Sequence, residues 1–329
     1  MKRKIWLPVL LLGLLVLSGC AGTPAANETD DRSIAVNGLA EAAQITLTEL
    51  KEITPAQGEA ISINSNGDEK LVAYKGAELG DVLAKFGADK ASFTGVRLVA
   101  EDGYAIEVPE EVLCNRQIIL AYELNGELLD EGEHPVRIVV PEERAMYWIK
   151  YVSEVCLIAD GAAVRIGAVR FFENELKALT VKNYDYYGTN DKAVLLTELL
   201  GITGDRKVVL IGRDGLVKNE LLETAKYDYV IKYTGSGAPY YLAPDLPLGM
   251  HVKELAAIIK DDTAIVFAAS FAGADGQLDG ATIMEALQEY WPEGEISLRG
   301  GNGQEETLSA AAFGAADFVL DEAGVRQKQ

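Results

Sequence analysis

The side chains best suited to metal or nucleophile chemistry are few in this chain: three cysteines and two histidines. His134 and His251 are too few for a histidine-based metal site, and no pair of cysteines has the spacing of a zinc site. Cys114 and Cys156 could form a disulfide in an oxidising compartment or remain two separate thiols. The residue types and spacing therefore predict no catalytic residue and no protein-bound metal.

Cys20 differs from the other cysteines because of the residues that precede it. Three basic residues at positions 2–4 come before an apolar run over residues 5–17, which is shorter than the ~20 residues that a membrane-spanning helix needs. The run ends in Leu17-Ser18-Gly19-Cys20, which resembles the lipobox of bacterial lipoproteins, in which the Cys is lipidated and becomes the new N-terminus. The alternative is an ordinary signal peptide or membrane anchor with an incidental Cys. We expect a signal peptide over residues 1–20 and lipidation of Cys20.

The segment after Cys20 and the charge of the chain indicate the location of the protein in the cell. Residues 21–32 are small and polar, which predicts a flexible tether. Loss of residues 1–19 removes three basic groups and changes the formal charge from −21 to −24. So acidic a protein is a poor partner for nucleic acid and for anionic lipid head groups. We expect a body anchored by its N-terminal lipid on the extracytoplasmic face of the cell membrane, whose partner is a small ligand or an envelope protein.

Two stretches of the chain match each other without a gap. Residues 74–103 align with residues 186–215 at an offset of 112, and both end in Asp-Gly turns, at Asp102 and Asp214. Further on, residues 141–150 match 244–253 at an offset of 103. Apolar residues from Leu79 to Phe86 recur at helical spacing, and the β-branched runs before both turns predict strands. The pattern predicts two copies of one unit that contains a helix and several strands.

A weaker third match follows. Gly280-Ala281 begins a predicted helix, Ile296-Ser297-Leu298 precedes Asn302-Gly303 as a strand precedes a turn, and Phe318-Val319-Leu320 is a further predicted strand. We therefore expect a domain at residues 33–160, a diverged second copy at 176–268 and a partial third copy at 269–329.

The first copy resembles the molybdopterin-binding domain of the sulfite oxidase family. The resemblance lies in three ordered blocks: Asp102-Gly103-Tyr104 followed by Pro109, the run from Leu120 to Glu127, and Pro135 to Pro141 followed by Ile149-Lys150-Tyr151. It implies an α+β fold present in tandem copies. It also implies oxygen-atom transfer or reduction at molybdenum, which the family holds through the pterin dithiolene and one Cys thiolate.

The residues that the family uses for this chemistry are changed here. The family's Cys precedes the segment that matches residues 74–76, but residues 61–73 contain no Cys and offer only Asn64, Ser65 and Asn66. Neutral oxygens replace a soft thiolate poorly at molybdenum. Glu142 and Ala145 stand where the family has Gly, and we expect the Glu142 carboxylate to repel the phosphate of a pterin.

Arg137 and Lys150 remain as candidate contacts for an anionic cofactor or ligand, although both could equally be partners in structural ion pairs. The leading hypothesis is a non-catalytic lipoprotein that uses the scaffold for ligand binding or as an accessory protein, with no cofactor. The alternatives are a molybdopterin-dependent oxidoreductase of the sulfite oxidase family, and a purely structural envelope protein.

Two weaker patterns remain. The glycine-rich run at residues 299–303 is more typical of a tight turn than of a phosphate cradle. The tyrosines of the second copy could pack one face of a sheet or form a recognition surface. They are Tyr184, Tyr186, Tyr187, Tyr227, Tyr229, Tyr233, Tyr240 and Tyr241.

Overall fold

The computed structural model describes residues 32–64, 67–159, 164–186 and 188–328, without the side chain of Tyr186. The signal peptide, Cys20, most of the tether, Ser65, Asn66 and Tyr187 lie outside the described residues. Within the described ranges, no helix is long and apolar enough to cross a membrane. The fold is a mixed α+β fold, as expected from the sequence.

The first part of the fold, residues 33–158, is called the first unit. Its elements are β1 (Ser33–Asn37), β2 (Ala43–Thr46), α1 (Leu47–Glu52), β3 (Ala56–Ile63), β4 (Glu69–Glu78), α2 (Leu79–Lys85), β5 (Gly95–Ala100), β6 (Ala105–Pro109), α3 (Glu110–Asn115), β7 (Ile119–Leu124), β8 (Glu127–Leu128), β9 (Arg137–Val139) and β10 (Val152–Ile158). One sheet has the order β2-β1-β10-β5-β6. In the other, β3-β4-β7-β8 are neighbours and β9 also pairs with β7.

Helix α2 lies where the apolar periodicity predicts it. The side chain of Glu78 accepts a hydrogen bond from Gly80 N–H and so caps the free amides of the first turn. Leu79, Val82 and Leu83 are at most 1% exposed in the core between the two sheets. At a transfer free energy of about 25 cal/mol per Å² of apolar surface, their burial contributes several kcal/mol, more than helix propensity alone supplies over seven residues.

Residues 168–270 form the second unit. Its elements are β11 (Ala168–Phe171), α4 (Phe172–Glu175), β12 (Lys182–Tyr186), β13 (Thr189–Leu195), α5 (Leu196–Leu200), β14 (Arg206–Gly212), β15 (Val217–Leu222), β16 (Val230–Lys232), β17 (Tyr240–Leu242), β18 (Leu255–Lys260) and β19 (Thr263–Val266). Strands β12-β13-β16-β17 form a four-stranded sheet.

Residues 277–327 form the third unit. Its elements are β20 (Gln277–Asp279), α6 (Gly280–Ala286), β21 (Glu295–Arg299), β22 (Glu305–Ser309), α7 (Ala310–Gly314), β23 (Asp317–Asp321) and β24 (Gly324–Gln327). Strands β20-β23-β24 form a small sheet. A seven-stranded sheet, β15-β14-β18-β19-β11-β21-β22, runs across the domain boundary that the sequence predicts at residue 268.

The three units share local geometry at their hairpin turns. Gly103, Gly215 and Gly303 have φ values of 86°, 80° and 78°, in the left-handed region that glycine adopts without strain. Each of these glycines donates its N–H to the carbonyl oxygen three residues earlier, at 2.9–3.1 Å. The Asp-Gly and Asn-Gly turns therefore have one geometry, although the origin of the units by duplication stays a prediction.

The ungapped match between the copies is wrong in its first half. Val82 lies in α2, whereas Val194, its predicted counterpart, lies in strand β13. The corresponding helices start at Leu79 and Leu196, an offset of 117, while the turns keep the offset of 112. The reason is that α5 is two residues shorter than α2 and the connection from α5 to β14 is also shorter.

Candidate functional site

Arg137 lies at the start of β9 and lines a cavity of about 230 Å³. Its Nη1 donates to the Glu133 carboxylate, and its Nε is buried with no hydrogen-bond partner among the described residues. The same cavity is lined by Lys70 and by two further carboxylates, Glu127 and Asp130. Three carboxylates against two cations do not favour an anionic ligand.

Lys150 lies in a different cavity, of about 180 Å³, which Arg137 does not line. Tyr104 and Trp148 line this second cavity, and the exposed Lys150 ammonium lies 6.0 Å from the centre of the Tyr151 ring. The structure therefore does not bring the two candidate anion contacts together in one cavity. Their role in ligand binding stays a prediction.

Asn64 occupies the region where the family places its metal-binding thiolate, and its side chain closes the β3–β4 hairpin. Asn64 Nδ2 donates to Asp68 Oδ2 at 2.9 Å, and Asp68 N–H donates to Asn64 Oδ1 at 2.9 Å. The Asn64 N–H also donates to Asp68 O at 3.1 Å. The residue is exposed and has a structural function in this turn.

Glu142 has a φ of 64°, in the left-handed region that residues other than glycine rarely adopt. The expected repulsion between its carboxylate and a pterin phosphate stays a prediction. The side chain is 77% exposed and accepts a hydrogen bond from Arg116 Nη1 at 3.1 Å, while Arg116 Nε donates to Glu143 at 3.1 Å. Sequence reasoning missed Arg116 because it lies 26 residues earlier, at the end of α3.

Residues 145–150 line the second cavity, and two side-chain hydrogen bonds hold this segment in place. Tyr104 Oη donates to Met146 O at 3.2 Å, and Trp148 Nε1 donates to Val140 O at 3.0 Å. Burial raises the pKa of Tyr104 to about 12, so the phenol stays protonated and remains a donor at neutral pH. The Asp-Gly-Tyr motif thus positions a hydroxyl against this segment.

The remaining candidate residues are two cysteines and the tyrosines of the second unit. Cys114 and Cys156 are both free thiols. Tyr229, Tyr240 and Tyr241 are at most 5% exposed, which agrees with sheet packing rather than with a recognition surface. Among the described residues, no group of three or more His, Cys, Asp and Glu side chains could hold a metal ion.

A buried ion pair lies where the first and second units meet. Lys218 Nζ is 2.8 Å from Glu220 Oε2, and both side chains are at most 3% exposed. Arg97 approaches Glu220 from β5 at 4.0 Å, and Asn219 donates to Glu107 at 2.9 Å. Burial lowers the pKa of Lys218, and the neighbouring Glu220 carboxylate opposes that shift.

These observations allow a test of whether a molybdopterin fits the first unit. The two cavities, of about 230 and 180 Å³, are smaller than the ~300–1,000 Å³ that is usual for cofactor sites. The described residues at the metal position offer the Asn64 amide, already bonded to Asp68, in place of a thiolate. The described residues at these two cavities and at the metal position therefore do not fit the cofactor.

Comparison with known proteins finds a similarity in the first part of the chain. A family model described as the oxidoreductase molybdopterin binding domain matches residues 21–162. No curated protein matches the sequence. The crystal structure of the sulfane dehydrogenase SoxCD from Paracoccus pantotrophus aligns at 13% identity over 73% of this chain and 78% of that chain, with a TM-score of 0.37, too low to support an argument about activity. Residues 21–162, less than half of the chain, are therefore similar to the oxidoreductase molybdopterin binding domain.

Proposed function

We propose that this protein is a membrane-tethered lipoprotein that uses a molybdopterin-type scaffold as a non-catalytic binding or accessory body. The observation that supports the proposal is the pair of side-chain hydrogen bonds between Asn64 and Asp68. Asn64 stands in the region of the family's metal-binding Cys, and its amide exchanges these two bonds across a hairpin turn. An amide in this role supplies no soft anionic ligand, which molybdenum in this family requires.

The electrostatics of the first unit support the same proposal. Arg137, a candidate contact for an anionic cofactor, is paired with Glu133. The cavity that it lines is also lined by Glu127 and Asp130. Lys150 is separated from it in another cavity. A phosphate-bearing ligand would meet three carboxylates and two cations in the Arg137 cavity, and a single exposed ammonium at Lys150.

The proposed anchor is the lipid on Cys20. The expected tether, residues 21–32, spans at most about 40 Å when extended, at roughly 3.3–3.6 Å per residue. With a formal charge of −24 after processing, the body is repelled by anionic head groups. Lipid and tether together hold such a body close to the membrane without adsorbing it.

Native mass spectrometry of the protein extracted from the envelope tests the proposal. We expect the mass of the lipidated polypeptide from Cys20 onward, without the added mass of a pterin. A further non-covalent small molecule in stoichiometric amount supports ligand binding over a purely structural role. A complex whose extra mass equals a molybdopterin would instead establish the oxidoreductase alternative.

A further inference from the structure

The strand pairing places a cationic side chain at equivalent positions of the first and second units. In the first unit Ala121 of β7 pairs with Arg137 of β9, and in the second unit Lys232 of β16 pairs with Tyr240 of β17. The pairs are equivalent, because Ala121 and Lys232 each lie three residues after the residue whose carbonyl oxygen accepts from the first N–H of α2 or α5. Paired residues of neighbouring strands share a face, so the cation lies on the equivalent sheet face in both units.

The cation of the second unit has its partners within the chain. Lys232 Nζ donates to Asp191 Oδ2 at 2.9 Å and to Ser236 O at 3.0 Å, and it lies 5.8 Å from the centre of the Tyr240 ring. The Lys232 side chain is 2% exposed. A cation at this position therefore takes oxygen acceptors, one from a carboxylate and one from a carbonyl group.

The cation of the first unit faces an open cavity instead. Arg137 Nη1 donates to Glu133, whereas Arg137 Nη2 has no hydrogen-bond partner among the described residues. The Arg137 side chain is 28% exposed and lines the cavity of about 230 Å³, together with the buried side chains of Val72 and Leu129. The guanidinium group thus keeps a donor for an oxygen acceptor that enters this cavity.

The other charged groups of the Arg137 cavity fix the charge of a ligand. Lys70, Glu127 and Asp130 are exposed, and the two carboxylates have no hydrogen-bond partner among the described residues. Since Arg137 and Glu133 neutralise each other, the three remaining groups leave one carboxylate in excess. A ligand with one positive charge in excess balances the cavity.

We propose that the Arg137 cavity binds a small dibasic amino acid. The carboxylate of the ligand accepts from Arg137 Nη2, and its two ammonium groups lie against Glu127 and Asp130. Charge-assisted hydrogen bonds of this kind are the strong ones. The volume of about 230 Å³ lies below the ~300–1,000 Å³ of usual cofactor sites and so selects a small molecule. The inference rests on the proposed function, because it requires a ligand-binding scaffold without a pterin.

Three small molecules test which groups of the ligand are recognised. L-lysine carries the carboxylate and both ammonium groups, L-norleucine lacks the side-chain ammonium, and 1,5-diaminopentane lacks the carboxylate. Isothermal titration calorimetry of the full-length protein in detergent measures each affinity. We expect a Kd below about 1 mM for L-lysine and at least tenfold weaker binding of the other two.

Single substitutions locate the site. Glu127→Gln should weaken the binding of L-lysine about tenfold, because it removes a carboxylate that faces an ammonium group. Glu131→Gln is the matched control, since Glu131 is also exposed but does not line the cavity, and its Kd should stay within about twofold of the parent. Arg137→Lys keeps the charge beside Glu133 but loses the planar pair of Nη donors. It should weaken L-lysine about tenfold and leave 1,5-diaminopentane within about twofold.

Three results would overturn the inference: no binding of L-lysine at concentrations up to about 1 mM, equal affinities for the three molecules, or equal losses in Glu127→Gln and Glu131→Gln. The last two would show attraction to the acidic surface of the whole protein. Urea unfolding of the variants verifies that the fold is retained. A pterin mass in the extracted protein would contradict the proposed function itself. Absence of L-lysine binding in protein without a pterin would contradict only the inference about the ligand.

Discussion

Trp148 Nε1 donates a hydrogen bond to Val140 O at 3.0 Å, across the turn that follows β9 in the first unit. His251 makes the equivalent contact in the second unit, where its Nε2 lies 2.8 Å from Ala243 O. A carbonyl oxygen only accepts, so Nε2 carries the proton in this tautomer. Two different ring N–H groups thus close the same turn at an offset of 103.

Replacement of Trp148 by Phe should destabilise the protein measurably. The variant leaves the carbonyl of Val140 without this donor in a buried environment, which costs about 1–3 kcal/mol. The free energy of unfolding in urea measures the effect. Trp291→Phe is the matched control, because the buried Nε1 of Trp291 has no hydrogen-bond partner among the described residues. Equal losses in the two variants would show that the hydrogen bond contributes nothing.

His251 should make stability depend on pH in the mildly acidic range. Burial lowers the pKa of His251, and the Lys218 charge lowers it further, so the unfolded chain binds a proton more readily than the folded one. The stabilising contribution is present above the unfolded pKa of about 6.5 and is lost as the pH falls through the folded pKa. We expect the free energy of unfolding to fall less steeply below about pH 6.5 in His251→Gln than in the parent. Parallel pH profiles of the two proteins would contradict this assignment.

The buried pair Lys218–Glu220 predicts a non-additive result. Glu220→Gln leaves the Lys218 ammonium without its counter-charge and should destabilise the protein by about 3–5 kcal/mol. The double variant Lys218→Met/Glu220→Leu removes both charges and should lose less than the single variant, since apolar residues of similar size replace a buried ion pair at little cost. Urea unfolding of the two variants and the parent measures this. A double variant less stable than Glu220→Gln would mean that the pair itself stabilises the junction of the units.

Parts of this fold could be predicted from local sequence. The sequence correctly predicted helix α2, the strands before the hairpin turns and the Asp-Gly turns themselves. Each of these elements depends on a few adjacent residues. The register between the units could not be predicted in full. Val82-Leu83 and Val194-Leu195 are the same residue types, yet one pair lies in a helix and the other in a strand. Apolar pairs fit either element, and only strand pairing decides between them.

The candidate site was less predictable than the fold. Arg137 and Lys150 could be named as candidate anion contacts from the sequence, but their separation into two cavities depends on the long-range pairing of β7 with β9. The direction of the Glu142 side chain depends on Arg116, which belongs to a different element. Contacts between residues distant in sequence leave no local pattern to read.

Lipidation is tested by Cys20→Ala. The residues before Cys20 predict that this variant is released from the membrane fraction or left unprocessed, because the lipid is attached through the Cys thiol. Fractionation and the mass of the protein report both effects, and Ser18→Ala, which keeps a small residue before the Cys, serves as the control. Unchanged mass and unchanged fractionation of Cys20→Ala would exclude this anchor.

The molybdenum content per chain tests most directly whether the first unit holds a cofactor. It is measured on protein that has been exported from cells with full cofactor supply. We expect far less than one molybdenum per chain, because Asn64 closes a hairpin in the region where the family places a thiolate. We also expect no oxidase activity towards sulfite and no reductase activity towards S- or N-oxides. Asn64→Cys, measured in parallel, shows whether a thiol alone restores the site. We expect it not to, because the cavity around Arg137 stays small and has more carboxylates than cations. One molybdenum per chain in the parent protein would contradict the proposal that the first unit is a non-catalytic scaffold without a cofactor.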